Sequence, residues 1–356
     1  MNLGKTTPDH SLDGSAPPTT EPTAPYLTAN LFAACFGLAG LATAWTTLML
    51  LVHGPDWPGN VLSIVAALVW LITAIAYLGN VGAQRRWKQE LSDQTLAPFI
   101  SLLFIVPVLL SVPLAQQSRG AGEVVFGCAT AATVLFGAWI TGDWIARKGD
   151  IRRWHPGYYL PSAAGGLIAG GASAALGFVT LSHVLFGLGV GSYLLLGSII
   201  GQRLFVVPEL PKPLVPTIAI ELAPPVVAAS SWFAINGGRV DTTAAVISGF
   251  AVLMALAQLR LIPLYRTAPF GPAYWAFSFP AAAAVTCGLH WLGAERVPSA
   301  TGLGYAVVGV LSAGYLLLAA RTVIALINGT FFLRAPVPAQ AGPATTAQAA
   351  VPAPPP

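Results

Sequence analysis

Residues 60–80 read NVLSIVAALVWLITAIAYLGN, 21 positions without one charged side chain. About 20 apolar residues in helical form cross the roughly 30 Å hydrocarbon core of a bilayer. A run of this length and composition is a membrane span. Nine further apolar runs of similar length lie on either side of it: 27–52, 98–117, 122–142, 157–178, 181–203, 213–235, 241–262, 271–292 and 301–327. The sequence therefore predicts an all-α integral membrane protein with ten transmembrane helices.

Composition agrees. Of 356 residues, 55% are hydrophobic and only 8% are Asp, Glu, Lys or Arg; the mean hydropathy is +0.70. A soluble domain carries roughly 25% charged residues, so a soluble enzyme, a disordered chain and a disulfide scaffold are all excluded. The net charge of +4 does not point to nucleic acid, because no run of five or more basic residues occurs. Cys35, Cys128 and Cys287 each sit in an apolar run without CxxC or Cys/His spacing, and read as small packing residues. The five histidines form no HExxH pair, and no GxxxxGK[ST] loop is present. We expect no catalytic residue, no metal and no cofactor.

Residues 1–25, rich in Thr, Pro, Ser and Asp, and residues 331–356, mostly Ala, Pro, Gln and Thr, are expected to be disordered tails on a transport domain at 26–330. An even span count puts both tails on one side. With the N-terminus inside, 14 of the 17 basic residues fall in inward segments, and only Arg119, Arg239 and Arg296 fall outward. The excess of basic residues on cytoplasmic loops then predicts cytoplasmic termini, in a multi-pass protein of the plasma membrane. Short outward turns alternate with longer inward links, giving five helical hairpins. Their first helices begin near 27, 98, 157, 213 and 271.

Proline separates the two helices of each hairpin. The third span holds Pro107 and Pro113, the fifth Pro161, the seventh Pro216, Pro224 and Pro225, and the ninth Pro280; the even spans have none in their interiors. The first span carries Gly37 and Gly40 instead. A mid-helix proline removes a backbone hydrogen bond and kinks the helix. In lipid, the freed carbonyl needs protein or water. Gly37, Pro107, Pro161, Pro224, Pro225 and Pro280 are thus expected to kink or line an inner ring of five odd helices around a central pore. The plain alternative is the general tolerance of membrane helices for Pro and Gly.

The same residues carry a family likeness. The ninth span reads Tyr274-Trp275-Ala276-Phe277-Ser278-Phe279-Pro280, and the first contains Phe36-Gly37-Leu38-Ala39-Gly40. The fifth opens His155-Pro156-Gly157-Tyr158-Tyr159-Leu160-Pro161, and the seventh contains Glu221-Leu222-Ala223-Pro224-Pro225. Together these resemble the tellurite-resistance/dicarboxylate transporter family, which includes the slow anion channels of plant guard cells. The resemblance implies a homotrimer, each protomer having its own pore lined by the odd helices. It also implies that a phenylalanine of the ninth helix plugs that pore, which here is Phe279. An aromatic ring in a narrow apolar bore excludes water and ions; the alternative is that Phe279 packs between helices.

Glu221 stands out among the charges. A carboxylate at bilayer depth costs about 2.5–3.5 kcal/mol on insertion scales, and such residues are functional candidates by default. As a titrating group it would couple proton to anion movement. As a neutral acid it would donate a hydrogen bond to a passing anion or a freed carbonyl; structurally, it would bridge two helices. Asp143 and Arg147 fit an i,i+4 pair, and Arg321 is placed to snorkel toward the cytoplasmic interface. Arg152 and Arg153, before the fifth span, would raise anion concentration at the inner mouth or simply set orientation.

The expected function is transport of small anions, dicarboxylates such as malate or inorganic ions, through a pore gated by Phe279. A proton-coupled dicarboxylate or tellurite-resistance carrier using Glu221 is the alternative. The partners are anions, lipid and further copies of the chain, with no nucleic acid.

Overall fold

The computed structural model describes residues 27–147 and 149–332. The expected tails lie outside the described residues, except Phe331 and Phe332, and so does Lys148. Every described element is helical. In chain order the α-helices are α1 (Phe32–Val52), α2 (Trp57–Ala83), the short α3 (Trp87–Ser92), α4 (Leu102–Gln117), α5 (Arg119–Arg147) and α6 (Gly165–Ala175). They continue with α7 (Val179–Val206), α8 (Ala223–Ile235), α9 (Thr242–Arg260), the one-turn α10 (Ile262–Tyr265), α11 (Ser278–Ala294) and α12 (Ala300–Ile327).

Each odd segment of the sequence reading begins not as an α-helix but as a 3₁₀-helix. Ala29–Leu31 precedes α1, Ala97–Ser101 precedes α4, and Pro156–Tyr159 with a π-turn at Leu160–Ala164 precedes α6. Lys212–Leu222 precedes α8, and Pro272–Phe277 precedes α11. Among the described residues, eight helical runs are long and apolar enough to cross a membrane. The fifth and ninth segments, richer in Pro, Tyr, Gly, Ser and His, are not among them.

The odd segments form a closed ring. α1 packs on α4 and α11, α4 on α6, α6 on α8, and α8 on α11. The 3₁₀ pieces make a second closed ring in the same order. Outside it, α2, α5, α7, α9 and α12 each pack against the odd helix before them. Burial separates the layers: in the apolar window of the first and seventh segments 61% of residues are buried, against 17% in α2 and α12 and 11% in α9. Leu68, Ile72, Leu135, Leu194, Val252 and Leu316 stand exposed on the outer helices, the apolar coat that acyl chains require.

Two details explain how the layers hold. α6 and α7 meet backbone to backbone at glycine, where a Cβ on Gly166 would lie 2.6 Å from the amide nitrogen of Gly189. Close approach through small residues is the ordinary packing device where no hydrophobic force drives helices together. At one turn, Asp241 caps α9 by accepting the backbone N–H of Ala244 at 2.8 Å, which satisfies an otherwise orphaned donor.

The prolines depart from the expectation of mid-helix kinks. Pro224 and Pro225 occupy the first turn of α8, Pro280 is the third residue of α11, and Pro161 sits in the π-turn before α6. Proline's fixed φ and missing N–H suit a first turn, whose amides have no helical partner. These residues therefore mark where a 3₁₀ or π piece becomes α-helix. Pro107 and Pro113 do lie inside α4.

Candidate conduit and its constriction

A cavity of about 520 Å³ lies inside the inner ring, with walls from all five odd segments. It occupies the half of the bundle where the odd helices end, hereafter the turn end; the 3₁₀ pieces form the base. α11 contributes Phe279, Ala283, Thr286 and His290 to the wall, spacings of 4, 3 and 4 that trace one helical face. Over those 11 positions the face runs about 16 Å at 1.5 Å per residue.

Phe279 is the lining residue nearest the base. Its ring stacks on Phe36 of α1, with centroids 3.6 Å apart and planes 17° from parallel, and both rings are buried. Gly40 lies against the edge of the Phe279 ring: a Cβ there would be 2.9 Å from Cδ2 and 3.2 Å from Cβ of Ala282. The ring thus fits a slot left by a missing side chain.

Most of the rest of the wall is apolar or hydroxylic. Thr43, Ser230, Ser231 and Thr286 donate to the backbone carbonyls of Ala39, Val226, Leu167 and Ala282 at 2.8–3.0 Å. Among the described residues that line it, none is acidic, and the ionisable ones are Arg119 and His290.

Glu221 lies elsewhere. It is the penultimate residue of the 3₁₀ piece Lys212–Leu222, half-buried, and outside the lining. The Tyr159 hydroxyl reaches both carboxylate oxygens at 3.1 Å, and Tyr193 packs edge-on to Tyr159 with centroids 5.4 Å apart. One carboxylate thereby joins the fifth and seventh segments.

The other expected residues fall as follows. Gly37, Pro107, Pro161, Pro224, Pro225 and Pro280 do not line this cavity. A Cβ on Gly37 would overlap the Ser278 hydroxyl, and its carbonyl accepts from Tyr315 at 2.8 Å, so it joins α1 to α11 and α12. Arg152 and Arg153 are exposed at the base, beside the start of the fifth segment. Asp143 and Arg147 pair at 2.6 Å. The guanidinium of Arg321 lies 4.7 Å over the Phe270 ring, a cation–π contact. His155 is fully buried, within 2.9 Å of the Thr95 carbonyl and accepting from the Gly157 amide at 3.1 Å. Among the described residues no group of three His, Cys, Asp or Glu side chains is placed to hold a metal.

Sequence reasoning missed Arg119 and His290, counting the first among the outward charges and the second only among histidines without metal-ligand spacing. The signal was present. The i, i+4, i+7, i+11 stripe from Phe279 to His290 puts the histidine on the face of the expected plug.

An inner ring of five segments around a cavity, sheathed by five apolar helices, defines an all-α multi-pass membrane protein. Residues 26–323 match the voltage-dependent anion channel family, and the chain belongs to it. This is a family of anion channels, not of enzymes. The chain is 27% identical over 313 residues to a tellurite resistance protein TehA homolog of Haemophilus influenzae, a match covering 86% of this chain and 93% of that protein. It is 25% identical to the S-type anion channel SLAH3 of Arabidopsis thaliana, covering 70% of this chain and 41% of the relative. The guard cell S-type anion channel SLAC1 of the same plant is 21% identical over 75% of this chain and 50% of its own length. The matches thus span about half the length of the plant relatives.

Proposed function

We propose that the chain carries small anions along the axis of the five odd segments, and that Phe279 is the gate. The observation that supports this most directly is the placement of Phe279 at the floor of the cavity, stacked on Phe36 and slotted against Gly40. A ring pair at the end of a mostly apolar bore blocks hydrated ions by size and by excluding water. Turning the ring aside would join the cavity to the base.

In this reading ten spans cross the plasma membrane, both termini are cytoplasmic, and the transport domain covers residues 26–330. The base faces the cytoplasm, where Arg152 and Arg153 raise the local anion concentration. Three copies assemble, each with its own pore. A wall without acidic residues and with few fixed charges selects by size and weak polar contacts, so the ion leaves as readily as it enters. The substrates are halide, nitrate or a small dicarboxylate such as malate.

The test is Phe279→Ala in a planar bilayer. Anion conductance should rise well above that of the unmodified protein, and unchanged conductance would refute the gate.

A second reading, favoured by the Tyr159–Glu221 contact at 3.1 Å, is proton-coupled dicarboxylate or tellurite-type transport with Glu221 as the proton site. Uptake into proteoliposomes would then follow a pH gradient and lose that dependence in Glu221→Gln. Uptake indifferent to both rules the coupling out.

A further inference from the structure

The cavity wall turns few hydrogen-bond donors toward its interior. The Thr43, Ser230, Ser231 and Thr286 hydroxyl protons go to backbone carbonyls, which leaves oxygen lone pairs for whatever enters. The side-chain N–H groups on the wall belong to Gln116, Arg119 and His290, all near the turn end.

Arg119 is held in place from two sides. Its Nε meets Glu123 at 2.5 Å, and its Nη2 donates to the Leu176 carbonyl at the end of α6. A guanidinium has five donors; with two used, three have no partner among the described residues. Glu123 is not part of the lining, so the carboxylate fixes the guanidinium from outside the cavity.

His290 lies across the cavity on α11. Its ring stacks on Phe233 of α8, with centroids 5.6 Å apart and planes 23° from parallel. Neither ring nitrogen has a hydrogen-bond partner among the described residues.

No acidic side chain lines the cavity around His290. The wall residues of α1 nearest the turn end are Thr46, Thr47 and Leu50, with His53 past the helix end. α8 presents Ser230, Phe233 and Ala234, and the Asp241 that follows is bound to Trp232, Asn236 and Ala244. From α12, Val308 packs into the apolar cluster of Leu48, Met49 and Leu289. On α11 itself Cys287 lies three residues before His290, and Glu295 and Arg296 follow the helix end. The α4 and α6 walls carry no titratable side chain.

We infer that Arg119 and His290 form an anion-receiving station at the turn end of the cavity, taking a small monovalent anion such as chloride or nitrate. The station rests on the proposed conduction path and adds its entry site. Arg119 supplies fixed donors, its own charge being balanced by Glu123. His290 adds a net positive charge when protonated, so occupancy rises as pH falls on that side.

Two measurements on the full chain test it. In the first, chloride NMR line broadening by purified protein in detergent reads binding without the gate. Broadening should grow on acidification; the growth should vanish in His290→Gln, and the whole effect should shrink in Arg119→Gln and return in Arg119→Lys. Broadening independent of pH, or unaltered in His290→Gln, overturns the station. In the second, conductance through Phe279→Ala should rise about threefold or more on acidifying the turn-end side, and should lose that response when His290→Gln is added. A conducting Phe279→Ala channel whose response survives His290→Gln overturns the station and leaves the gate intact. A Phe279→Ala protein that conducts no better than the unmodified one defeats the gate, and the NMR result then decides the station alone.

Discussion

Replacing Phe36 by leucine removes the partner on which the Phe279 ring rests while keeping most of the apolar volume of α1. The two rings lie 3.6 Å apart and 17° from parallel, and aromatic pairs contribute about 0.5–1.5 kcal/mol beyond their buried area. If the gate opens by moving Phe279 off Phe36, the closed state loses that amount and the open state loses nothing. At about 1.4 kcal/mol per factor of ten, the open-to-closed ratio rises about two- to twelvefold. Leucine is preferred to alanine because a Phe→Ala change costs about 3–5 kcal/mol in a packed core and would confuse gating with folding. The assay is single-channel open probability in a planar bilayer, read as a double-mutant cycle with Phe279→Ala. In the Phe279→Ala background the stack is already gone, so Phe36→Leu should change nothing further. Equal effects of Phe36→Leu in both backgrounds, or none in either, would refute a gate held shut by this pair.

Three other outcomes follow from the packing. Gly166→Ala drives a methyl into the backbone of Gly189, 2.6 Å away, so the detergent-solubilised protein should lose about 1–3 kcal/mol of stability, seen as a Tm lowered by several degrees; Gly127→Ala, with nothing within 4 Å of its Cβ, should leave Tm unchanged. The Ala244 backbone amide holds the Asp241 carboxyl below its ordinary value. A group depressed on folding stabilises above its unfolded pKa and loses that contribution as pH falls through the folded one. Thermal stability should therefore decline below about pH 4, and the decline should flatten in Asp241→Asn. Finally, Tyr159→Phe leaves Glu221 without its hydroxyl partner, and if the carboxylate is the proton site, the pH dependence of uptake should shift while gate conductance stays the same.

The layer architecture was legible because lipid enforces it. The apolar runs and their all-helical form follow from spanning constraints, eight helical runs among the described residues being long and apolar enough to cross, and the ring contacts of α1, α4, α6, α8 and α11 match the alternation of proline-bearing and proline-free runs. The 3₁₀ starts were not legible. Proline tells where a regular helix is interrupted or begun, and Pro224, Pro225 and Pro280 look alike in sequence whether they kink an α-helix or open one. For the site, Phe279 was reached through the likeness of the ninth span. Arg119 was missed because the positive-inside argument counts charges by side and discards their partners; its role depends on Leu176, 57 residues away. Gly40 was quoted only as a helix glycine, since nothing local places Cδ2 of Phe279 against it.

The 3₁₀-to-α junctions connect these features physically. A 3₁₀-helix rises about 2.0 Å per residue with three residues per turn, against 1.5 Å and 3.6 for an α-helix, so it is the thinner of the two. Five such pieces packed in a ring at the base leave little bore between them. Above the junctions the same segments widen into α-helices whose inward faces are small: Ala39, Gly40, Gly171, Ala172 and Ala283. The cavity therefore begins where the helix type changes. Phe279 is the second residue of α11 and Glu221 the second-last residue before α8, so both sit within two residues of a junction. A junction is also where one residue's change in φ and ψ rotates everything beyond it, because the hydrogen-bond register switches there from i+3 to i+4. Lengthening the 3₁₀ piece Pro272–Phe277 by one residue at the expense of α11 would swing Phe279 off Phe36 without unfolding either segment. If Phe279 is the proposed gate, its place beside the junction would let a small change in helix register open the conduit, whereas a ring in mid-helix would need its rotamer turned against a packed wall.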